Sequence, residues 1–224
     1  MTDGDLKSSA SYSEGQKRAA HRVLVELVNI FQEYEDEIRV VGGWVPDLMF
    51  PEEGHVGSID VDILAGMYGG TQPKRRSQHV QGIKALKAAG GNFAFEFPAQ
   101  KISVKAERSD GAIDVANISV VAVVPYIIMK AAAMGRGKAK DAYDMYFIIK
   151  HYIGGVRELA KEFEPVRGKN IVIEAKAKLA GKFASADHAG PKDVADFLDL
   201  EDEESIEMAK RDAYEQMQAL LNLI

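Results

Sequence analysis

Two aspartates two residues apart, Asp60 and Asp62, follow a glycine pair, Gly42–Gly43, in the stretch VVGGWVPDLMFPEEGHVGSIDVDIL from Val40 to Leu64. On an extended strand, residues two apart share a face and lie roughly 7 Å apart along the chain. Asp60 and Asp62 are therefore expected to project together, with the apolar side chains of Ile59, Val61, Ile63 and Leu64 facing the core. Paired carboxylates repel, and divalent cations relieve that repulsion most simply. Glycines let a backbone approach phosphate oxygens closely, and the N-terminus of a following helix favours an anion. A phosphate cradle beside metal-binding carboxylates is suited to moving a nucleotidyl group. Ser58 either bonds a phosphate or braces the turn before the strand. A surface strand kept soluble by two aspartates is the competing account, but it leaves the glycines without a role.

A second constellation lies downstream: Lys130, then Lys140–Asp141–Ala142–Tyr143–Asp144. Asp141 and Asp144 are three apart and share one region of a helix surface. A lysine near a metal–carboxylate centre could neutralise triphosphate charge. Against this, Lys140 and Asp144 have the spacing of a plain helical ion pair, and Asp141 could simply cap the helix. His21, His55, His79, His151 and His188 show no zinc-type spacing, so a histidine metal site is not expected. Trp44, the only tryptophan, either touches a base or packs a short helix on the sheet.

These residues need strands and helices to hold them. Residues 1 to about 13 read as disordered, followed by a helix from Glu14 to Glu37 with Val23, Leu24, Leu27, Ile30, Phe31 and Tyr34 as its apolar stripe. A strand from Ile38 to Val41, the glycines, a short helix opening at Pro46 and the Asp-bearing strand come next. A polar helix is expected over Gln72–Ala89, then strands over Phe93–Phe97, Lys101–Ala106 and Ile113–Val124. From Pro125 the pattern is helical, with helices over 125–134, 138–152, 156–163, 170–183, 192–198 and 203–221. The fold class is α+β: a mixed sheet of four or five strands flanked by helices, then a helical C-terminal part. The division falls into residues 1–124 and 125–224, with a soft boundary that allows one packed body.

Composition sets outer limits. The chain has 224 residues, 46% apolar and 28% charged, which is ordinary for a globular protein. It has no cysteine, so neither disulfides nor thiolate zinc sites arise. The N-terminus lacks the apolar core of a secretory signal, and no run reaches membrane-span length; a cytoplasmic protein without membrane contact is expected. The net charge of −6 weighs against broad nucleic-acid binding. Local basic clusters at Lys74–Arg76 and at Arg136, Lys138 and Lys140 would still suit a polyphosphate or an RNA end.

The ordered strand–GG–helix–loop–strand–Asp-x-Asp unit resembles the signature of the DNA polymerase beta-like nucleotidyltransferase superfamily. Two departures stand out: Gly43 replaces the serine often found second in the glycine motif, and the long gap to Asp60 implies an extra loop over Phe50–Gly57. VPYIIMKAAAMGRGKAKDAYDMYFII is similar to the Lys and Lys/Arg-Asp-x-x-Asp block of the AbiEii/AbiGii toxin-like nucleotidyltransferases, on which Lys130, Lys140–Asp141 and Asp144 match. Together the two blocks cover roughly residues 38 to 152. The resemblance implies catalytic roles for Asp60, Asp62, Lys130, Asp141 and Asp144. It implies NTP contacts from Gly42, Gly43, Ser58, Lys130 and Lys140, and Mg2+ or Mn2+ on Asp60 and Asp62. Asp114 is the candidate for the superfamily's third metal carboxylate, with Glu96 as its alternative. The implied activity is transfer of an NMP from an NTP to an acceptor hydroxyl, such as the 3′ end of tRNA or another RNA. A toxin role with a cognate antitoxin is a further step. A small-molecule nucleotidyltransferase and a noncatalytic binding module are the alternatives.

Overall fold

The computed structural model describes residues 8–66, 77–80, 83–86, 88, 90–108 and 110–224. It is α+β, with a four-stranded mixed sheet and a helical C-terminal half. The sheet consists of β1 (Ile38–Val41), β2 (Asp62–Ala65), β5 (Gln100–Glu107) and β6 (Ile113–Val120), in the order β2-β1-β6-β5. β1 runs antiparallel to β2, with Val41 opposite Asp62, and parallel to β6, with Val40 opposite Val120. All four residues of β1 are buried. A central strand covered on both faces reads as a continuous apolar run, as Ile-Arg-Val-Val nearly does.

Helix α1 (Glu14–Ile30) opens at Ser13, whose hydroxyl accepts from the Gln16 amide at 3.3 Å, which satisfies one of the donors orphaned at a helix start. It ends seven residues before the expected Glu37, passing into a 3-10 turn at Gln32–Tyr34. Its core face is carried by Ala20, Leu24, Val25 and Val28. Val23, Ile30 and Tyr34 of the expected stripe point outward instead. The segment ahead of it also corrects an expectation. Ser8 and Ser9 hydrogen-bond to Asp199 and Leu198, and Tyr12 is buried edge-on against Phe197. Order there comes from tertiary contact, which local composition does not reveal.

Two further expectations fail for local reasons. Strands β3 (Ser77–Val80) and β4 (Ile83–Leu86) stand where a polar helix was expected. They pair antiparallel, with Ser77 opposite Leu86 and Val80 opposite Ile83. Over Phe93–Phe97 the alternating pattern suggested a strand, but the chain forms a short helix α3 (Gly91–Ala94). Phe93 and Phe97 then meet edge to face at 5.1 Å, while Phe95 turns toward the Arg39 guanidinium. The cluster Lys74–Arg76 lies outside the described residues.

After β6, the chain forms α4 (Val123–Ala133), α5 (Ala139–His151), α6 (Gly155–Phe163), α7 (Asn170–Lys182), α8 (Ala189–Leu198) and α9 (Glu203–Leu223). Pro125 falls in the first turn of α4, where a missing N–H costs no intrahelical bond. In α5, every residue from Lys140 to Ile149 is buried, so this helix runs through the interior. The core is one cluster extending from Tyr12 to Ile224, with side chains from both sides of residue 124. No helix among the described residues is long and apolar enough to cross a membrane.

Candidate active site

β1 ends in Gly42 with φ of +75°, a left-handed conformation that favours glycine. The chain then turns through Gly42–Trp44 into α2 (Val45–Met49). A Cβ on Gly42 would overlap the Asp62 carboxylate, its Cγ only 3.0 Å away. A Cβ on Gly43 would lie 2.7 Å from Lys140 Nζ and 3.0 Å from Ser58 Oγ. The bare glycine backbone thus sits between a carboxylate from β2 and an ammonium from α5.

The strand carrying the aspartates is shorter than expected. β2 begins at Asp62, while Asp60 lies in a bend ahead of it. Ser58 is the cause: its hydroxyl accepts from the Asp60 amide at 3.3 Å, closing a turn before the β1 ladder begins. Ser58 has no exposed surface. Its hydroxyl braces the turn beneath Gly43 and lies 3.0 Å from where a Gly43 Cβ would stand. Asp62 is exposed and Asp60 half-buried. Trp44 is buried, with its ring 5.5 Å from that of His21.

The downstream constellation is a buried network and not a surface pair. Lys130 of α4 donates to Asp141 Oδ1 at 2.6 Å and to Asp144 Oδ2 at 2.7 Å. Lys140 donates to Asp144 Oδ1 at 2.9 Å and Oδ2 at 3.2 Å, with the two side chains 4% and 0% exposed. Lys140 and Asp144 have the i,i+4 spacing of a helical ion pair, but the pair lies in the interior. Asp141 is not the cap of α5, a position held by Lys138.

Electrostatics follow from that burial. Desolvation alone would raise the Asp144 pKa, but Lys130, Lys140 and the hydrogen bond from His55 outweigh it and hold the carboxyl well below its ordinary value. Burial likewise pulls Lys130 down, yet Asp144, Tyr126 and Asp141 hold it well above the usual lysine range. Two ammoniums and two carboxylates balance, which is how an interior tolerates charge.

His55, given no role from the sequence, is part of this network. Its Nε2 lies 3.0 Å from Asp144 Oδ1, both side chains being fully buried. Its ring stacks on Tyr143 at 5.2 Å and meets Phe147 edge-on at 4.7 Å. Burial lowers its pKa to about 4, so the ring is neutral near pH 7. Only Gly57 and Ser58 nearby hinted at a tight turn; no local pattern points to Asp144. His55 and Trp44 also line a cleft of about 200 Å³ with Lys17, Arg18, His21 and Asp47.

Neither expected third carboxylate, Asp114 or Glu96, is placed beside Asp60 and Asp62. Asp114 pairs across the β5–β6 hairpin with Ala106, and its carboxylate is 3.7 Å from Arg108. Roughly 20 Å of strand separates it from Val120, the residue beside β1. Glu96 forms an ion pair with Lys169 instead. Among the described residues, no group of three or more His, Asp or Glu side chains is arranged to hold a metal. Two carboxylates still suit Mg2+, which commonly takes one or two from the protein and completes its shell with water and substrate phosphate. Comparison of the chain with protein-family models, with curated proteins and with solved structures gives no match.

Proposed function

We propose that this protein is a nucleotidyltransferase with a DNA polymerase beta-like catalytic sheet, resembling the AbiEii/AbiGii toxin-like enzymes. It transfers an NMP from an NTP to an acceptor hydroxyl, with the 3′ end of tRNA or another RNA as the favoured acceptor. The observation that carries the proposal is the Gly42–Gly43 turn, flanked by Asp62 on one side and Lys140 on the other.

In this proposal the glycine backbone accepts the triphosphate at close range, since no Cβ stands in the way. Asp60 and Asp62 hold Mg2+ or Mn2+, which when bound offsets phosphate charge and makes the acceptor hydroxyl more acidic. Lys140 contributes positive charge beside Gly43. Lys130, Asp141 and Asp144 act one step back: Lys130 is committed to the two carboxylates and orients Asp144, which in turn fixes Lys140. This replaces the expected direct Lys130–phosphate contact. A toxin acting on RNA and restrained by a cognate antitoxin is the cellular role that goes with this chemistry.

The placement of Asp114 and Glu96 away from Asp60 and Asp62 favours a second account, a noncatalytic binding module on the same fold. One experiment separates the two. The purified protein is incubated with each labelled NTP, Mg2+ and total cellular RNA, alongside Asp60→Asn and Asp62→Asn variants. Label transferred by wild type and lost in both variants supports the enzyme; no transfer with any NTP leaves the binding module.

A further inference from the structure

We infer that His55 is a positioning residue for this site: its Nε2–H holds Asp144 and, through Asp144, keeps the Lys140 ammonium over Gly43. Its catalytic consequence rests on the nucleotidyl-transfer proposal; the positioning itself rests on geometry alone.

The tautomer follows from the hydrogen bonds. The Gly57 amide donates to His55 Nδ1 at 3.0 Å, so Nδ1 carries a lone pair and the proton resides on Nε2. That N–H faces Asp144 Oδ1 at 3.0 Å. The imidazole has no freedom to turn away, because Tyr143 and Phe147 enclose it. Second-partner hydrogen bonds of this kind set which nitrogen is protonated and where the ring points.

Asp144 is thereby held from three directions. Its Oδ1 takes His55 and Lys140, and its Oδ2 takes Lys130 and Lys140. Of these donors, His55 alone is uncharged and comes from the chain between α2 and β2. Removing it frees the carboxylate plane to rotate toward the two ammoniums, and Lys140 moves with it. A cation in place of His55 would compete with Lys140 for the same oxygen. A neutral donor avoids that competition and leaves the two lysines balanced by two aspartates.

The imidazole also joins both halves of the proposed site. His55 Nδ1 fixes the Gly57 amide, and the next residue, Ser58, braces the Asp60 amide. One side chain therefore ties the turn that presents Asp60 and Asp62 to the α5 network that presents Lys140. Misplacement of a charged group by about 1 Å is enough to cost ~100-fold in rate.

The test compares His55→Leu, which keeps apolar bulk without a donor, with His55→Gln, whose amide N–H reaches the Nε2 position. Transfer kinetics are measured with Mg2+ and the active NTP, below the melting temperature of every variant. Side-chain 15N NMR of the lysine ammoniums is recorded on the same preparations. The expected result is a kcat lowered by about 10- to 100-fold in His55→Leu, with KM for NTP changed less than about threefold. The Lys140 resonance should be displaced in His55→Leu, and His55→Gln should restore both readouts. Wild-type kcat and an unmoved Lys140 resonance in His55→Leu would overturn the inference. Equal losses in the Leu and Gln variants, tracking melting temperature, would also overturn it and leave a packing role. If wild type transfers no nucleotide, the proposed activity fails by itself. The NMR comparison then decides for His55: displacement in Leu with return in Gln supports it, and no displacement refutes it.

Discussion

Lys130 of α4 and Asp144 of α5 meet at 2.7 Å in a pocket where Asp144 has no solvent exposure. A carboxylate so placed stays ionised because Lys130, Lys140 and the His55 hydrogen bond surround it. The pair therefore fastens two helices together while it orients the group beside the glycine turn. Stability and the proposed activity are coupled here, and the variants below separate them.

Lys130→Ala should be strongly destabilising, by about 3–5 kcal/mol, because it strands buried carboxylates without their partner. Urea unfolding of wild type and variant measures it. A midpoint within error of wild type would show that water reaches Asp144 and that the network is looser than its geometry.

Asp60→Asn and Asp62→Asn should behave in the opposite way. Asp62 is exposed and Asp60 half-buried, and each change swaps a carboxylate for an amide of the same size. Stability should shift by no more than about 0.5 kcal/mol, or rise, while NMP transfer disappears. Transfer at the wild-type rate in either variant would remove that aspartate from the metal site.

Gly43→Val tests the glycine turn. Even its first added carbon would meet Lys140 Nζ at 2.7 Å and Ser58 Oγ at 3.0 Å. Overpacking of this kind typically costs about 1–3 kcal/mol, and Mg–NTP affinity should fall at temperatures where the variant is folded. Calorimetric titration with NTP and Mg2+ reads the affinity. Unaltered binding would reduce the glycines to a plain turn.

The pH dependence of stability should carry the mark of His55. Its pKa falls from an ordinary 6.5 to about 4 in the folded chain, through burial. Between those values the unfolded chain binds a proton that the folded chain refuses, so stability rises with pH. The contribution is complete above about pH 6.5 and lost as pH falls toward 4, on the order of 3 kcal/mol in all. His55→Gln should flatten this slope. Asp144, depressed below its ordinary value, adds a loss at lower pH in both proteins. Equal slopes between pH 4 and 6.5 would show that His55 titrates normally.

Local pattern by itself determined a good deal of this protein. The glycine pair between an apolar strand and a helix start, and the later helices from residue 139 onward, follow from propensity and periodicity over neighbouring residues. So does the spacing that pairs Lys140 with Asp144. Tertiary structure decided the rest. His55 and Asp144 are 89 residues apart, and no local signal relates them. Packing buried α5 on every side, turning a pattern that reads as a surface ion pair into an interior network. It also rotated α1 so that Val23 and Ile30 face outward, and it drew Ser58 under Gly43. Asp114 was displaced by register: β6 meets β1 at Val120, near the end opposite its carboxylate. Periodicity states which residues share a face, but which face is covered, and by what, depends on the free energy of packing the whole chain.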